Sequence, residues 1–480
     1  MSKVVILSTE YHGDPAPGGL GTYVYYLARG LSAWGQQVHV VTISNHEGCV
    51  ALGESCWIHR VKQTSMLSNQ AAARLPYTNY ALSRSYALWK YLVDEIPETP
   101  FDCLDVQDHL ALGLWNALSG WLPMAVRVQT PIFLLQLKDV SNIPSGFDTH
   151  LVEIAESLAI RKAHVLIGSN EPVLEEVVRH SGATGVRKIV QRNPIDLSEF
   201  RARDDYRRKT SAFEFVFVGR LELRKGVHTL LEALGIAVRS DPGIRVKFVG
   251  VDTECGFAPG SVQQQLHNRA RELNLEQHVE FSPPVPLLEL SKVYGDSDAA
   301  VTPSLFDNAP YGLVAAMAAG LPVIGTGSGG MPDYIGDNSR GIIVPAGDAD
   351  ALAEALCRIA GDGNLRERLG QAARTFVETE CNHKLIARQA SELYGEMSVH
   401  KEPRASRLAD VTASLRQLER LITDLDDWTA PELIARAHSY DAGYASGLRD
   451  GFAHAVRQNM LTRAAHRLSH LVSNGRSEDT

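Results

Sequence analysis

Two stretches of this chain share one pattern: a short apolar run, a loop containing glycine, an amphipathic helical segment and a second apolar run. The first stretch starts at Val4–Leu7 and returns at Val38–Val41, and the second starts at Phe215–Val218 and returns at Val246–Gly250. Runs that are apolar at every position are typical of strands buried on both faces, and strands joined through a helix pair in parallel. The pattern therefore predicts two βαβ units, about 210 residues apart, in an α/β fold.

The length of the chain, 480 residues, exceeds what one hydrophobic core usually supports, so we expect two domains or more. The Asn193-Pro194 step lies between the two units and is typical of a linker. We predict a Rossmann-like parallel-sheet domain at residues 1–195 and a second one at residues 196–395. A cleft between them is the expected place of the functional site.

Residues 400–480 follow a different pattern. Apolar residues between Arg404 and Asp427 recur at helical spacing, and Gly443, Gly447 and Gly451 recur every four residues further on. This pattern predicts a helical C-terminal extension. Two interpretations stay open: a helical hairpin packed on the main body, or an element for homo-oligomerisation or for docking a partner.

Composition narrows the functional classes. The formal net charge of −9 argues against a general nucleic-acid binder. The six cysteines are scattered without a C-x-x-C pair, which predicts reduced thiols rather than a disulfide framework or a zinc site. No apolar run approaches the roughly 18 residues that a membrane span needs. We expect a cytoplasmic protein without a transmembrane segment, and peripheral contact with a membrane stays open.

The loop Gly219–Gly226 follows the first strand of the second unit and precedes its helix. It contains two cations, Arg220 and Lys225. A guanidinium can contact two phosphate oxygens at once, an ammonium supplies a compact charge, and the N-terminus of a helix favours anions. We predict that this loop binds phosphate; the alternative is a surface loop with ordinary cations.

A glycine loop in the first unit, Pro17–Gly21, occupies the corresponding place after the first strand. Glycine is needed where the backbone approaches a ligand closely or adopts positive φ. Gly18 and Gly19 are therefore predicted to approach the same ligand from the opposite side of the cleft. The alternative is a plain turn.

The stretch Pro303–Ile324 runs from a strand end through an acidic loop and a small-residue helix into a new strand. It presents the Asp307 carboxylate and free amide N–H groups at the carboxyl edge of a parallel sheet, where ligands bind in such folds. Asp307 is also a preferred residue for capping the helix that follows it. Because Pro310 has no N–H, the backbone amides that could donate hydrogen bonds to a ligand are those of Ala309, Tyr311 and Gly312.

Taken together, the G-R-L-x-x-x-K-G loop, the glycine loop and the Pro303–Ile324 stretch resemble the signature of the retaining GT-B glycosyltransferases of family four, the group 1 enzymes. The resemblance covers about residues 3–395. It implies a GT-B fold, with two Rossmann-like domains that face each other across a cleft. It also implies a nucleoside-diphosphate sugar of the UDP or GDP type as the donor substrate, with no cofactor. No metal site is expected, because the chain lacks a D-x-D motif with supporting ligands at a strand end and the cationic loop would replace a divalent ion.

The resemblance also implies roles for individual residues. Arg220 and Lys225 would stabilise the leaving diphosphate, and Asp307 would hold hydroxyl groups of the donor sugar. Pro284 and Val285 lie where backbone groups of the family contact the base.

Two positions depart from the family pattern. Ala315 stands where the family has a second glutamate that accepts hydrogen bonds from the ribose, and alanine cannot accept them. Losing a charged hydrogen bond typically costs about 1.5–3 kcal/mol. Gln129 stands where the family commonly places an active-site histidine, and glutamine cannot titrate. Asp108 and His109 are acceptor-side candidates nearby; His109 either takes over part of the missing histidine's role or is a structural hydrogen bonder.

Two functional hypotheses follow. The first is a retaining hexosyltransferase that acts on an unknown acceptor, such as a sugar, a lipid-linked glycan or a small molecule. The alternative is a catalytically impaired pseudo-glycosyltransferase that serves as a binding or regulatory subunit. Ala315 and Gln129 motivate the alternative, whereas the intact Arg220 and Lys225 favour the first hypothesis.

Overall fold

The structure is a computed structural model that describes residues 2–11, 18–63, 65–67, 69–96, 101–138, 143, 145–206, 212–256 and 258–398. The predicted helical extension at residues 400–480 lies outside the described residues, and so does Pro17 of the first glycine loop.

The strands and helices alternate along the chain, as the sequence pattern predicts. The strands are Lys3–Ser8 (β1), Gln37–Ile43 (β2), Gly48–Ala51 (β3), Cys56–Val61 (β4), Cys103–Gln107 (β5), Met124–Val128 (β6), Val165–Gly168 (β7), Arg187–Val190 (β8), Phe213–Val218 (β9), Ile244–Val249 (β10), Val279–Ser282 (β11), Ala299–Thr302 (β12), Val323–Thr326 (β13) and Ile342–Val344 (β14). The helices are Gly19–Ala33 (α1), Asn69–Arg74 (α2), Pro76–Asp94 (α3), Leu114–Ser119 (α4), Ile132–Leu137 (α5), Phe147–Arg161 (α6), Glu171–Ser181 (α7), Val227–Ser240 (α8), Val262–Glu272 (α9), Leu290–Asp296 (α10), Tyr311–Ala318 (α11), Met331–Ile335 (α12), Ala349–Gly361 (α13), Gly363–Glu380 (α14) and His383–Ser398 (α15).

The strands form two separate sheets. The first has the order β3-β4-β2-β1-β5-β6-β7-β8 and is parallel except for β3, and the second has the order β11-β10-β9-β12-β13-β14 and is parallel throughout. In both sheets the strand order reverses next to the first strand of the unit, between β1 and β5 and between β9 and β12. The predicted fold class, two parallel-sheet α/β domains, is confirmed.

Alternate residues of the first strand in each sheet enter different hydrophobic clusters. In β1, Val5 and Leu7 join one cluster while Val4 and Ile6 join another. In β9, Phe215 joins one cluster and Val216 joins another. Each sheet is therefore covered on both faces, which explains why these strands are apolar at every position.

The last described helix, α15, packs against α1 of the first domain, although it follows the second sheet in the chain. Its Tyr394 hydroxyl hydrogen-bonds to Asp105, and the Arg127 guanidinium donates to Tyr394 at 3.1 Å and to Asp105 at 3.0 Å. All three side chains are buried. This network ties α15 to the first sheet. The predicted division into residues 1–195 and 196–395 did not include such a contact. The boundaries themselves stay predictions.

Candidate functional site

The predicted site residues lie in loops at the carboxyl ends of strands, next to the point where each sheet reverses its strand order. In the first sheet they are Gly18 and Gly19 after β1, Asp108 and His109 after β5, and Gln129 after β6. In the second sheet they include Arg220 and Lys225 after β9 and Asp307 after β12. This is the place where open parallel sheets bind ligands.

Lys225 and Asp307 form an ion pair, 82 residues apart in the chain. Asp307 is 7% exposed, and Ser304 and Arg224 also lie near its carboxylate. Burial alone raises the pKa of Asp307, but the charges of Lys225 and Arg224 outweigh burial and hold that pKa below its usual value. Burial lowers the pKa of Lys225, and Asp307 opposes that shift. The two residues to which the sequence gives separate ligand roles therefore bind each other in this structure.

Arg220 is the more available cation of the loop. Its side chain is 55% exposed, and the carboxylate nearest to it, that of Glu222, lies 3.5 Å away. Glu222 already binds Arg224 at 2.7 Å. The charge of Arg220 nevertheless acts on Asp307 in its own domain and on His109 in the first domain. Arg220 thus lies between the two domains with donors free for an anion.

Arg224 is a site residue that the sequence did not single out. Its guanidinium donates to the backbone oxygen of Phe306 at 3.1 Å and to Glu222, and it lies 3.7 Å from Asp307. A single helical turn, Leu223–Lys225, directs this side chain into the protein. In the sequence, Arg224 is visible only as a second cation next to Lys225. The helical turn Leu223–Lys225 shows that both side chains face the interior of the protein.

The helix α11 begins at Tyr311, with Pro310 as its N-cap residue and no capping side chain. The alternative that Asp307 caps this helix is therefore wrong, since its carboxylate turns to Lys225 instead. The amide N–H groups of Tyr311 and Gly312 meet no acceptor within the described part of the chain, which leaves them available to a ligand. A Cβ on Gly312 would lie 2.6 Å from the Val218 carbonyl oxygen, so only glycine fits there.

Ala315 lies one turn into α11, is 3% exposed and belongs to an apolar cluster. Its methyl group can offer van der Waals contact alone. Pro284 is exposed after β11, and Val285 is half-buried against the same cluster. The predicted contacts of these three residues with a nucleotide stay predictions.

The glycine loop comes close to the second domain at Gly19, where an added Cβ would lie 3.6 Å from the Tyr311 ring. The amide N–H of Gly18 donates to the Glu10 carboxylate at 2.7 Å. Glu10 follows β1 and was not among the predicted site residues. An anion that approaches Gly18 must therefore take the place of this carboxylate.

Asp108 and His109 lie side by side at the end of β5. The Asp108 carboxylate accepts a hydrogen bond from the Gln129 amide at 3.0 Å, and its other oxygen is buried without a partner in the described structure. Burial raises the pKa of Asp108 to about 7. Burial, followed by the charge of Arg220, lowers the pKa of His109 to about 4, so the imidazole is neutral at neutral pH.

Glu156 of α6 holds the loops after β5 and β6 together. Its carboxylate accepts the Leu110 amide at 2.9 Å and the Ile132 amide at 2.8 Å. Leu110 and Ala111 have φ values of 58° and 53°, a conformation that is costly for residues other than glycine. The signal in the sequence is a carboxylate at helical spacing from the apolar residues Val152 and Ile160.

Asn308 joins the two domains directly beside Asp307. Its side-chain amide nitrogen donates to the backbone oxygens of Val128 at 3.0 Å and of Gln129 at 2.6 Å. Its side-chain oxygen accepts from the Ser169 hydroxyl at 3.0 Å, and its backbone oxygen accepts from Asn170 at 3.0 Å. We call this set the Asn308 clasp. It places Gln129 next to the Asp307 loop.

Among the described residues, no group of three or more histidine, cysteine, aspartate and glutamate residues is arranged to hold a metal ion. No described helix is both long enough and apolar enough to cross a membrane. The predicted cytoplasmic location stays a prediction.

Two family models match the chain, one on each domain. Residues 18–193 match a model described as "Glycosyl transferase 4-like domain", and residues 198–376 match one described as "Glycosyl transferases group 1". The chain is also similar to the D-inositol 3-phosphate glycosyltransferase of Corynebacterium aurimucosum. The two are 30% identical over 387 residues, which cover 76% of this chain and 88% of that protein.

Solved structures with a similar fold include the sucrose-phosphate synthase of Thermosynechococcus elongatus. It matches with a TM-score of 0.65 and 21% identity, over 84% of this chain and all of that one. Anabaena HepE in complex with UDP-glucose matches with a TM-score of 0.61 and 16% identity, over 82% of this chain and all of that one. At these identities the likeness concerns the fold.

Proposed function

This chain belongs to the group 1 glycosyltransferases, and from that premise we propose that it is a retaining enzyme that moves a hexose from a nucleoside-diphosphate sugar to an acceptor hydroxyl. The donor is of the UDP or GDP type. The observation that supports this proposal most directly is the Lys225–Asp307 ion pair beside the exposed Arg220. Two cations beside one carboxylate are the groups that a sugar diphosphate needs, and this supports the proposal.

Donor binding exchanges the partners of this ion pair. The diphosphate takes the place of Asp307 beside Lys225 and also contacts the free donors of Arg220. Asp307 is then released to accept hydrogen bonds from hydroxyl groups of the sugar. Before the donor binds, the charges of Lys225 and Arg224 hold the pKa of Asp307 below its usual value, and Arg224, 3.7 Å away, remains beside the carboxylate after the exchange.

The transfer step leaves negative charge on the departing diphosphate as the bond between the anomeric carbon and the phosphate oxygen breaks. Arg220 and Lys225 stabilise that charge, which is the kind of interaction that accelerates a reaction most. The acceptor oxygen bonds to the anomeric carbon on the same face, and its proton passes to the departing phosphate oxygen. Gln129 can hold the sugar by hydrogen bonds there but cannot transfer a proton.

A second function is motivated by Ala315 and by Gln129. With no carboxylate at residue 315 and no imidazole at residue 129, a chain of this fold could bind a nucleotide or a partner without turnover. This alternative, a pseudo-glycosyltransferase, predicts that no nucleotide sugar is consumed, even by slow hydrolysis.

The test is a thermal-shift panel with UDP, GDP and their glucose, mannose and N-acetylglucosamine conjugates, followed by an assay of nucleotide release. UDP-glucose is the first donor to try, because it is the ligand of the HepE complex. A ligand at about 100 times its dissociation constant stabilises by roughly 2.7 kcal/mol, which a thermal shift detects. Binding with slow nucleotide release supports the transferase, and binding without any release supports the alternative.

Arg220→Ala then tests the assigned chemistry, with Arg239→Ala as the matched control. Arg239 is an exposed arginine in the last turn of α8, about 20 Å along the helix from the loop. We expect Arg220→Ala to lower the rate of nucleotide release by about 10- to 100-fold and Arg239→Ala to leave it unchanged. Equal rates in both variants would remove Arg220 from the mechanism.

A further inference from the structure

Strand β3 forms the outer edge of the first sheet and pairs, antiparallel, with β4 on its inner side. All four of its residues, Gly48–Ala51, are exposed and uncharged. The amide N–H of Leu52, directly after β3, donates to the Cys56 carbonyl oxygen at 2.7 Å. Because hydrogen-bonded and non-hydrogen-bonded pairs alternate along antiparallel strands, the N–H and C=O groups of Cys49 and Ala51 point away from β4. The edge therefore presents backbone donors and acceptors to the outside of the sheet.

The other sheet edges of the described structure are protected. Strand β8, at the opposite edge of the first sheet, carries Arg187 and Lys188, each in an ion pair. In the second sheet, the outer strand β11 carries Glu280, which is also in an ion pair, and Ile342 and Val344 of the outer strand β14 are buried. Charged side chains and cover are the usual means by which proteins keep an edge from pairing with another chain. Strand β3 has neither.

Exposed apolar side chains gather at the same edge. Val50 and Leu52 are both exposed, and since they are two residues apart they lie on one face of the strand. Trp34, at the end of α1, is exposed as well. The hydroxyl groups of Ser32, in the last turn of α1, and of Ser55, in the turn after β3, are 2.8 Å apart, so the end of α1 lies beside this turn. Apolar side chains next to outward backbone groups are typical of a surface that binds another strand.

The backbone of β3 can pair with β3 of a second copy. A two-fold axis makes two identical strands antiparallel, and an axis at Val50 places Val50 opposite the same residue of the second copy. Cys49 then lies opposite Ala51 of the second copy. These are the two residues whose N–H and C=O groups point outward, so they can exchange both hydrogen bonds of such a pair.

The side chains around Val50 are self-complementary in this register. Leu52 lies opposite Gly48 of the second copy, where the missing side chain leaves room for it. The imidazole of His46 lies opposite the Glu54 carboxylate of the second copy, a hydrogen-bond donor facing a negatively charged acceptor. The charge of one copy thus meets a matching group of the other at both ends of the pairing. This complementarity favours a second copy of the chain as the occupant of the edge.

We propose that this chain forms a homodimer in which β3 pairs antiparallel with β3 of a second copy about a two-fold axis at Val50. The pairing joins two eight-stranded sheets into one continuous sheet. The edge lies three strands away from β1, after which the candidate site begins, so the inference does not depend on the proposed function.

The experiment is sedimentation velocity on the full chain at concentrations from about 1 to about 200 μM, because a short edge pairing belongs to the weaker class of interfaces. We expect a monomer–dimer equilibrium. Val50→Lys should raise the dissociation constant about 10-fold or more, since the two added ammonium groups would face each other across the axis. Val190→Lys is the matched control at the opposite edge of the sheet, where Val190 is 39% exposed and Val50 is 47% exposed. It should leave the dissociation constant unchanged.

Two further variants test the backbone pairing and the register. Ala51→Pro removes an N–H that points outward, so it should weaken the dimer and leave the pairing with β4 intact; the circular dichroism spectrum shows whether the variant is folded. Val50→Cys combined with Cys49→Ser should form a disulfide between copies under mild oxidation. The reason is that Cα atoms of a non-hydrogen-bonded pair lie about 4.5 Å apart, within the range of disulfides.

The outcomes are decisive in either direction. A dimer that Val190→Lys keeps and that Val50→Lys and folded Ala51→Pro both weaken supports the proposal. A chain that is still monomeric at about 200 μM, the top of the range suited to a weak interface, refutes it. A dimer that either edge variant leaves intact also refutes it and directs the search to other surfaces, including residues 400–480. Cross-linking through Cys49 of the unchanged chain, without cross-linking of Val50→Cys, refutes the register at Val50.

Discussion

The side-chain amide of Asn308 donates a hydrogen bond of 2.6 Å to the backbone oxygen of Gln129, across the interface between the two domains and 179 residues apart in the chain. Asn308 is 3% exposed and directly follows Asp307. The loop that carries the predicted sugar-binding carboxylate is thereby tied to the strand end that carries Gln129. A movement of one domain relative to the other must break this bond and change the distance between the two residues.

Asn308→Ala is expected to destabilise the protein by about 3 kcal/mol, because it leaves buried polar groups of the first domain without partners. We also expect slower turnover with little change in UDP affinity, since the variant loosens the domain contact and keeps the cations. Denaturant unfolding and calorimetry measure the two effects. Asn268→Ala, at an exposed asparagine of α9, is the matched control. If Asn308→Ala changes the unfolding free energy and the turnover no more than Asn268→Ala does, the stabilising role of the Asn308 clasp is contradicted.

Asp307→Asn tests the exchange of partners at Lys225. The amide keeps the shape of the side chain but removes the charge that competes with the donor diphosphate. We expect UDP affinity to stay equal or rise, and the transfer rate to fall by about 10- to 100-fold, because the sugar loses a charged acceptor. Glu276→Gln removes an exposed carboxylate of the same domain and should change neither quantity. A loss of UDP affinity in Asp307→Asn would show that Asp307 supports the diphosphate site rather than competing with it.

Asp108 makes stability depend on pH in a defined direction. Its pKa is raised from near 3.8 to about 7 by burial, so between these values the folded state holds a proton that the unfolded state has released. Stability therefore falls as pH rises through this range and stays low above it. His109, whose pKa is lowered to about 4, acts in the opposite direction, and stability rises with pH up to its ordinary value near 6.5.

Comparison of Asp108→Asn with the unchanged chain isolates the Asp108 contribution. The difference in unfolding free energy should be smallest near pH 4 and should grow in favour of Asp108→Asn toward pH 7, because asparagine has no proton to release. Unfolding titrations at several pH values in that range measure it. A difference that is constant with pH would show that Asp108 does not titrate in the folded protein as described.

Gly226 lies between Lys225 and helix α8 and has a φ of +68°. A Cβ there would lie 1.9 Å from the Pro303 carbonyl oxygen. Gly182 has a similar φ of +74° but open space around it, so it is the matched control for backbone strain. We expect Gly182→Ala to cost about 1–2 kcal/mol and Gly226→Ala to cost clearly more. Gly226→Ala should also lower turnover, because the added Cβ forces the Arg220–Lys225 loop to move away from Pro303. Equal unfolding midpoints for Gly226→Ala and Gly182→Ala would contradict the close contact.

Several features of the fold could be predicted from the sequence because they depend on local pattern. The strand expected at Phe215–Val218 is Phe213–Val218 in the structure, and the strand expected at Val246–Gly250 is Ile244–Val249. The loops that follow β9 and β12 lie at one edge of the second sheet, because parallel neighbours end on the same side. For that reason the sequence pattern predicts Lys225 and Asp307 at one site.

Other residues of the site could not be found in this way. Nothing in the sequence near Asn308 indicates that its partners are Ser169, Asn170 and the end of β6. Nothing in the sequence around Glu156 or Glu10 marks them as site residues, because their partners are backbone amides of distant or sharply turned segments. The packing of α15 on the first domain also cannot be predicted from the sequence, since the apolar face of this helix would fit either sheet.

The sequence by itself determined two parallel sheets, the loops at their carboxyl edges and the residue types that those loops offer, because hydrophobic period and glycine placement act over short stretches of chain. Only the tertiary structure decided which charges meet: Lys225 binds Asp307, and Arg224 turns inward to Glu222. These pairings depend on distances between segments that are far apart in the chain. Such distances are set by how the sheets and helices pack, and burial then decides how strongly each charge needs a partner.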